Sequence, residues 1–181
     1  HVSNKVIVAS PIKDTKVIDL IKDLYKKKMQ FQNLLLFTLA INTGLNLKDL
    51  LNLKVKNVKN KQYLNPDKNK SIPLNEEVIE LIDKVIENKK LQEPLFQNSS
   101  GNKINRTAVF YSFKEVCQEL GLSKRYSVAS WRKTFAYHYY HKYKDLSYLQ
   151  WLFNQTNIKS ALKYIDEDEN MNLRFRQGVN L

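Results

Sequence analysis

The chain has 181 residues, 43% of them hydrophobic and 27% charged, enough for one good-sized core and too apolar for a disordered polymer. No apolar run reaches the roughly 18 residues of a membrane-spanning helix, and the N-terminus lacks a secretory-signal pattern, so a cytoplasmic setting is expected. Thirty Lys and Arg against eighteen Asp and Glu leave a formal charge of +12, which points to a polyanionic partner, nucleic acid first. An Asn-, Lys- and Ile-rich composition also follows from AT-rich coding DNA, so charge alone does not decide the matter. The one cysteine, Cys117, lies in a helical pattern and reads as a buried structural thiol. The first residue is His1 rather than Met, as in a fragment or a processed chain.

In chain order, the spacing of Val17, Ile18, Ile21, Leu24 and Tyr25 predicts an amphipathic helix over 14–28. The nearly continuous apolar run FQNLLLFTLAI, Phe31 to Ile41, predicts a buried central helix stopped at Thr43-Gly44, with the glycine as C-cap. A short helix over 47–53 turns Leu47, Leu50 and Leu51 inward. Between Val55 and Leu74 the texture becomes β-prone: Val55–Val58, Gln62–Leu64 and Ser71–Leu74 flank the turn-rich NPDKNK and suggest a small antiparallel sheet or hairpin. Asn75 is a natural N-cap, with Glu76 and Glu77 in the first turn of a helix running to about 88.

The loop QNSSGNK then leads into an amphipathic helix over 105–120, ended by Gly121. Further helices are expected over 130–143, 146–153 and 158–164, followed by a tail that opens with the acidic run DEDE. There is no internal repeat and no linker, so a single domain is expected. His138 and His141 share a helix face, but no cysteine pair or Glu-bearing zinc pattern accompanies them, and neither a metal nor another cofactor is expected. The aromatic density from Trp131 to Phe153 has the spacing of core packing more than of base stacking.

Four stretches carry chemistry. INTGLNLKDLLNLKVKNV (Ile41 to Val58) places Thr43, Gly44, Leu45, Asp49, Leu50, Leu53 and Val58 on one pattern. The hairpin ending in SIPLN carries Lys68 and Lys70. SVASWRKTFAYHYY carries Arg132, Lys133, Thr134, Phe135 and Ala136, and LFNQTNIKSALKYI ends at Tyr164. In this order the stretches resemble the catalytic domain of the tyrosine recombinase (phage integrase) family, from about residue 12 to 166. The resemblance implies a mainly α fold with a small antiparallel hairpin. It also implies a nucleophilic Tyr164 that forms a 3′-phosphotyrosyl DNA intermediate, Arg132 as phosphate clamp, and Lys68 or Lys70 as general acid toward the leaving oxygen.

The same resemblance marks three departures. Asn46 stands where the family has its first catalytic arginine, Ala129 where it has a histidine three residues before Arg132, and Gln155 where it has a second histidine. An amide carries no charge and cannot fork two donors onto a phosphate as guanidinium does. Removing one preorganised donor costs roughly 10²–10³ in rate. The expectation is therefore a DNA-binding protein of this family with weak or no strand transfer, and the alternative is an active site-specific recombinase. Lys133, His138 and Lys48 are the side chains that could substitute. A basic RNA-binding or scaffold protein outside the family is a third reading.

Double-stranded DNA is the expected partner, contacted by Arg132, Lys133, Lys68, Lys70, Arg106 and Lys103. A second copy of the chain or a partner recombinase on the same DNA would complete an assembly. Residues 1–181 read as one catalytic-type domain with a tail over 166–181, the family's N-terminal clamping domain being absent or removed.

Overall fold

A computed structural model describes residues 7–67, 69–153 and 162–165. The first helix, α1 (Thr15–Lys27), starts where Asp14 accepts a hydrogen bond from the Lys16 amide at 2.9 Å, and it buries Ile18, Ile21, Leu24 and Tyr25. Helix α2 (Phe31–Thr43) is buried on nearly every face, as its apolar run demands, and packs against α1, α4 (Glu76–Ile86) and α6 (Ala129–Tyr143). Gly44 caps it in the left-handed conformation, φ 70°, where a β-carbon would strain the backbone.

Helix α3 (Leu47–Leu51) is a five-residue turn of helix capped by Asn46, and it buries Leu50 and Leu51. It stops two residues short of the sequence expectation.

One β-prone segment is not a strand. Val55–Asn57 is a 3₁₀ turn rather than a strand. Its amides are claimed from another direction: Val55 and Lys56 donate to the Glu93 and Leu91 carbonyls at 3.0 Å each. The turn also puts Val55 and Val58 on one buried side, which alternation could not do. The hairpin itself forms as expected, with β1 (Tyr63–Asp67) antiparallel to β2 (Lys70–Pro73), Leu64 opposite Ile72, and a bulge between Leu64 and Asp67.

Asn75 caps α4 through Val78, and Asn105 caps α5 (Arg106–Glu119) through Ala108. A cluster of rings then joins three helices. Phe37 of α2 stacks on Phe113 of α5 at 5.9 Å, and Trp131 of α6 meets both edge-on at 5.7 and 5.1 Å. A smaller second core is formed by Ala136 and Tyr140 of α6, Leu146 and Leu149 of α7 (Leu146–Phe153), and Leu162 and Ile165. Segment 7–13 is sewn onto the start of α6: Ser10 donates to the Arg125 carbonyl at 2.9 Å, and Ile12 donates to Thr134 Oγ1 at 2.9 Å. The buried Cys117 thiol is pushed up to about 11 by desolvation, in keeping with a structural role.

Candidate active site

Helix α6 fixes the position of Arg132. On one side of it Trp131 is 3% exposed within the ring cluster, and two residues on Thr134 is buried, donating to the Ser130 carbonyl. Arg132 itself is half-buried, and its Nε donates to the Gly44 carbonyl at 2.7 Å. The left-handed cap that ends α2 thus presents a carbonyl that steers the guanidinium. Burial pulls the Arg132 pKa below the ordinary guanidinium value, while Tyr164 and Asp49 nearby favour its charge. The side chain stays protonated in any case.

Tyr164 reaches the same place from the other direction. Residues 162–164 are helical, and burial of Leu162 and Ile165 against α6 and α7 leaves the half-buried phenol between them at a cleft wall. Desolvation raises its pKa above the ordinary phenol value, and the Arg132 charge opposes that rise. Lys133 Nζ lies 5.3 Å from the centre of the Tyr164 ring and donates to the Ala9 carbonyl at 3.0 Å.

Between these groups lies a cleft of about 260 Å³. Arg132, Lys133, Tyr164, Asn46, Ala129 and Arg106 all line it, over an apolar floor that includes Leu45 and Trp131. It is smaller than the roughly 300–1,000 Å³ of drug-sized pockets, and Arg106, Arg132 and Lys133 make its polar wall cationic. The structure therefore brings together, around the Arg132 guanidinium and the Tyr164 phenol, four further residues that the sequence had singled out: Asn46, Arg106, Ala129 and Lys133.

Asn46 serves the backbone of α3. Its Oδ1 accepts from the Asp49 amide at 2.8 Å, so the side chain caps α3. Ala129, the first residue of α6, offers only a methyl group. Neither contributes charge to the cleft.

Other candidates lie elsewhere. Lys70 sits with Nζ 5.3 Å from the Trp151 ring centre, and Lys103 Nζ donates to Asn52 Oδ1 at 2.7 Å; neither lines the cleft. Lys68 and Gln155 fall outside the described residues. Of the substitutes considered, Lys133 is at the cleft and Lys48 is not among its walls. His138 Nε2 lies 2.8 Å from the Ile12 carbonyl, tied to the N-terminal segment. No group of three metal-ligating side chains occurs among the described residues.

Sequence reasoning overlooked Phe110. It is 44% exposed, lines the cleft, and lies under the Arg106 guanidinium at 5.8 Å. The signal was available: an arginine and an aromatic four residues apart on the polar face of a helix.

Comparison with known proteins extends over the same residues. The family model described as "Phage integrase family" matches residues 12–171. A curated relative, the probable integrase/recombinase YoeC of Bacillus subtilis (strain 168), is 29% identical over 168 residues, 90% of this chain and 92% of the relative. Among solved structures, the Tn1549 transposon integrase in complex with circular intermediate DNA superposes with a TM-score of 0.76 at 17% identity, over 97% of this chain and 66% of that one. The XerA recombinase matches with a TM-score of 0.75 at 14% identity, over 96% of this chain and 65% of the other. A lambda integrase dimer bound to a core site matches at 0.66 and 20% identity, over 90% of this chain and 49% of that one. At these identities the structural matches speak for the fold alone, and the chain spans about two thirds or less of those structures.

Proposed function

Because the chain belongs to the phage integrase family, matched over residues 12–171, we propose that it binds duplex DNA with a backbone phosphate seated between Arg132 and Tyr164, and that strand transfer there is weak. One observation carries this reading. The guanidinium and the phenol line one small cleft, while the two neighbouring positions, Asn46 and Ala129, supply a helix cap and a methyl group. Solved integrase–DNA and recombinase–DNA complexes of this fold, such as that of the Tn1549 integrase, support duplex DNA as the ligand. The working place is the cytoplasm, and the DNA-bound assembly is completed by a second copy or by an active recombinase.

The chemistry explains why binding outlasts turnover. In strand transfer Tyr164 Oη bonds to phosphorus, the bond from phosphorus to the 5′ oxygen breaks, and a 3′-phosphotyrosyl linkage remains. The phenol proton must leave and the departing oxygen must gain one. Charge grows on the non-bridging oxygens, where fixed cationic donors have most effect. Here Arg132 is one such donor, and the raised Tyr164 pKa adds to the cost of losing the phenol proton. Binding draws instead on many separate lysine and arginine contacts across a +12 chain and tolerates the loss of one or two.

A pool of nicked duplexes that trap a covalent intermediate tests the reading. Duplex binding is expected to weaken steeply with salt, as about 6–10 phosphate contacts require. Adduct should form slowly, at roughly 10²-fold or more below a fully equipped site, and should vanish in Tyr164→Phe. The same Tyr164–Arg132 geometry favours the second reading, an active site-specific recombinase. Rapid, near-stoichiometric adduct that disappears in Tyr164→Phe would establish that reading and overturn ours.

A further inference from the structure

The cleft holds a second guanidinium that the family comparison does not require. Arg106 is the first residue of α5, and it lines the cavity that Asn46, Arg132 and Tyr164 also line. Its guanidinium rests over the Phe110 ring, 5.8 Å from the centre, and Phe110 is itself part of the cleft wall. No ion pair among the described residues holds it. Close by in sequence, Lys103 Nζ bonds to Asn52 Oδ1 at 2.7 Å, which ties the entry of α5 to the far end of the helix that Asn46 caps. The start of α5 is therefore anchored against α3, on the side of the cleft from which a charge is missing.

We propose that Arg106 supplies, from α5, the second phosphate-binding guanidinium that position 46 lacks. The inference rests on the phosphate-seat reading above and sharpens it: the ligand group is a phosphodiester oxygen pair held between Arg106 and Arg132. Phe110 keeps the Arg106 side chain extended along the wall, and the planar fork suits two non-bridging oxygens. Asn46, with its Oδ1 committed to the Asp49 amide, serves α3 and leaves the space in front of it to the longer side chain.

A double-substitution cycle separates this role from a general surface charge. The full chain, Arg106→Gln, Asn46→Arg, the double variant, and the charge control Lys114→Gln are titrated with inorganic phosphate at low ionic strength. Binding is read from the Arg132 Nε–H resonance. Arg106→Gln is expected to weaken phosphate binding about tenfold in the native background, as loss of a charge-assisted hydrogen bond would. In the Asn46→Arg background the same change should cost about twofold or less, because the restored arginine takes over. Lys114, exposed on α5 and not a wall of the cleft, should shift binding by less than about twofold.

Equal losses in both backgrounds, or no loss in either, would overturn the proposal. Duplex binding measured on the same samples tests the broader reading independently. Salt-insensitive duplex binding sinks the DNA reading, whereas normal duplex binding with an uncoupled cycle sinks only the role of Arg106.

Discussion

The two walls of the cleft differ in how firmly they are held. The α6 wall is over-determined: Trp131 is locked between Phe37 and Phe113, Thr134 bonds to both Ser130 and Ile12, and Arg132 is steered by Gly44. The α3 wall is a five-residue helix whose exposed cap, Asn46, bonds only to its own first turn among the described contacts of its Oδ1. On the α6 wall Arg132 cannot change without removing the donor from the Gly44 carbonyl. At position 46 the backbone asks only for a cap, which more than one polar side chain can supply. The lesson is that the scaffold holds some residues of this cleft through many partners and leaves others tied only to their own turn of helix.

The strongest way to break the contrast is at its firmest point. Trp131→Ala should cost about 3–5 kcal/mol, as truncation of a fully enclosed aromatic does, and urea unfolding would show it; a loss under 1 kcal/mol would mean that the ring cluster does not hold the wall. Next comes Arg132→Ala. Leaving the Gly44 carbonyl without its donor should cost about 1–2 kcal/mol. The protein should remain folded by circular dichroism, while duplex affinity falls; an unchanged isotherm would contradict the phosphate seat. On the opposite wall, Asn46→Ala should lose about 1 kcal/mol of cap stability. Asn46→Asp should keep the cap to within about 0.5 kcal/mol and yet weaken phosphate binding by placing a negative charge at the cleft. If the aspartate binds phosphate as well as the native chain does, position 46 does not face the ligand.

Much of this was legible in the residues. Helical spacing located α1, the run from Phe31 located the central helix and Gly44 its end, and Asn75 with the two glutamates after it located α4, because capping chemistry is local. The order of Arg132 and Tyr164 around the α6 motif anticipated the cleft. What escaped was set by distant partners. Val55–Asn57 has strand-forming residues, but its amides bond to residues 91 and 93 and bend it into a turn. The four-residue spacing of Arg106 and Phe110 offered the pair, but that the pair faces the cleft depends on how α5 packs against the rest of the fold. The bulge between Leu64 and Asp67 was equally hidden, because strand register is set by the pairing and not by local composition.

The smallest expected effect is a pH dependence shared by both regions. Burial raises the thiol of Cys117 from 9.0 to about 11 and moves the phenol of Tyr164 the same way. An unfolded chain ionises these groups first, so their contribution is fully present below pH 9 and is lost as pH rises toward 11. The urea midpoint should stay level up to about pH 9 on this account and decline above it; a midpoint that rises over that interval would contradict the burial of both groups.

The most direct test of the central claim is anomalous diffraction from crystals soaked in tungstate, an electron-rich stand-in for phosphate. The account predicts one dominant peak in the cleft, within hydrogen-bonding reach of the Arg132 guanidinium and the Tyr164 hydroxyl. Tungstate bound only to surface lysines, with nothing between those two side chains, would contradict it.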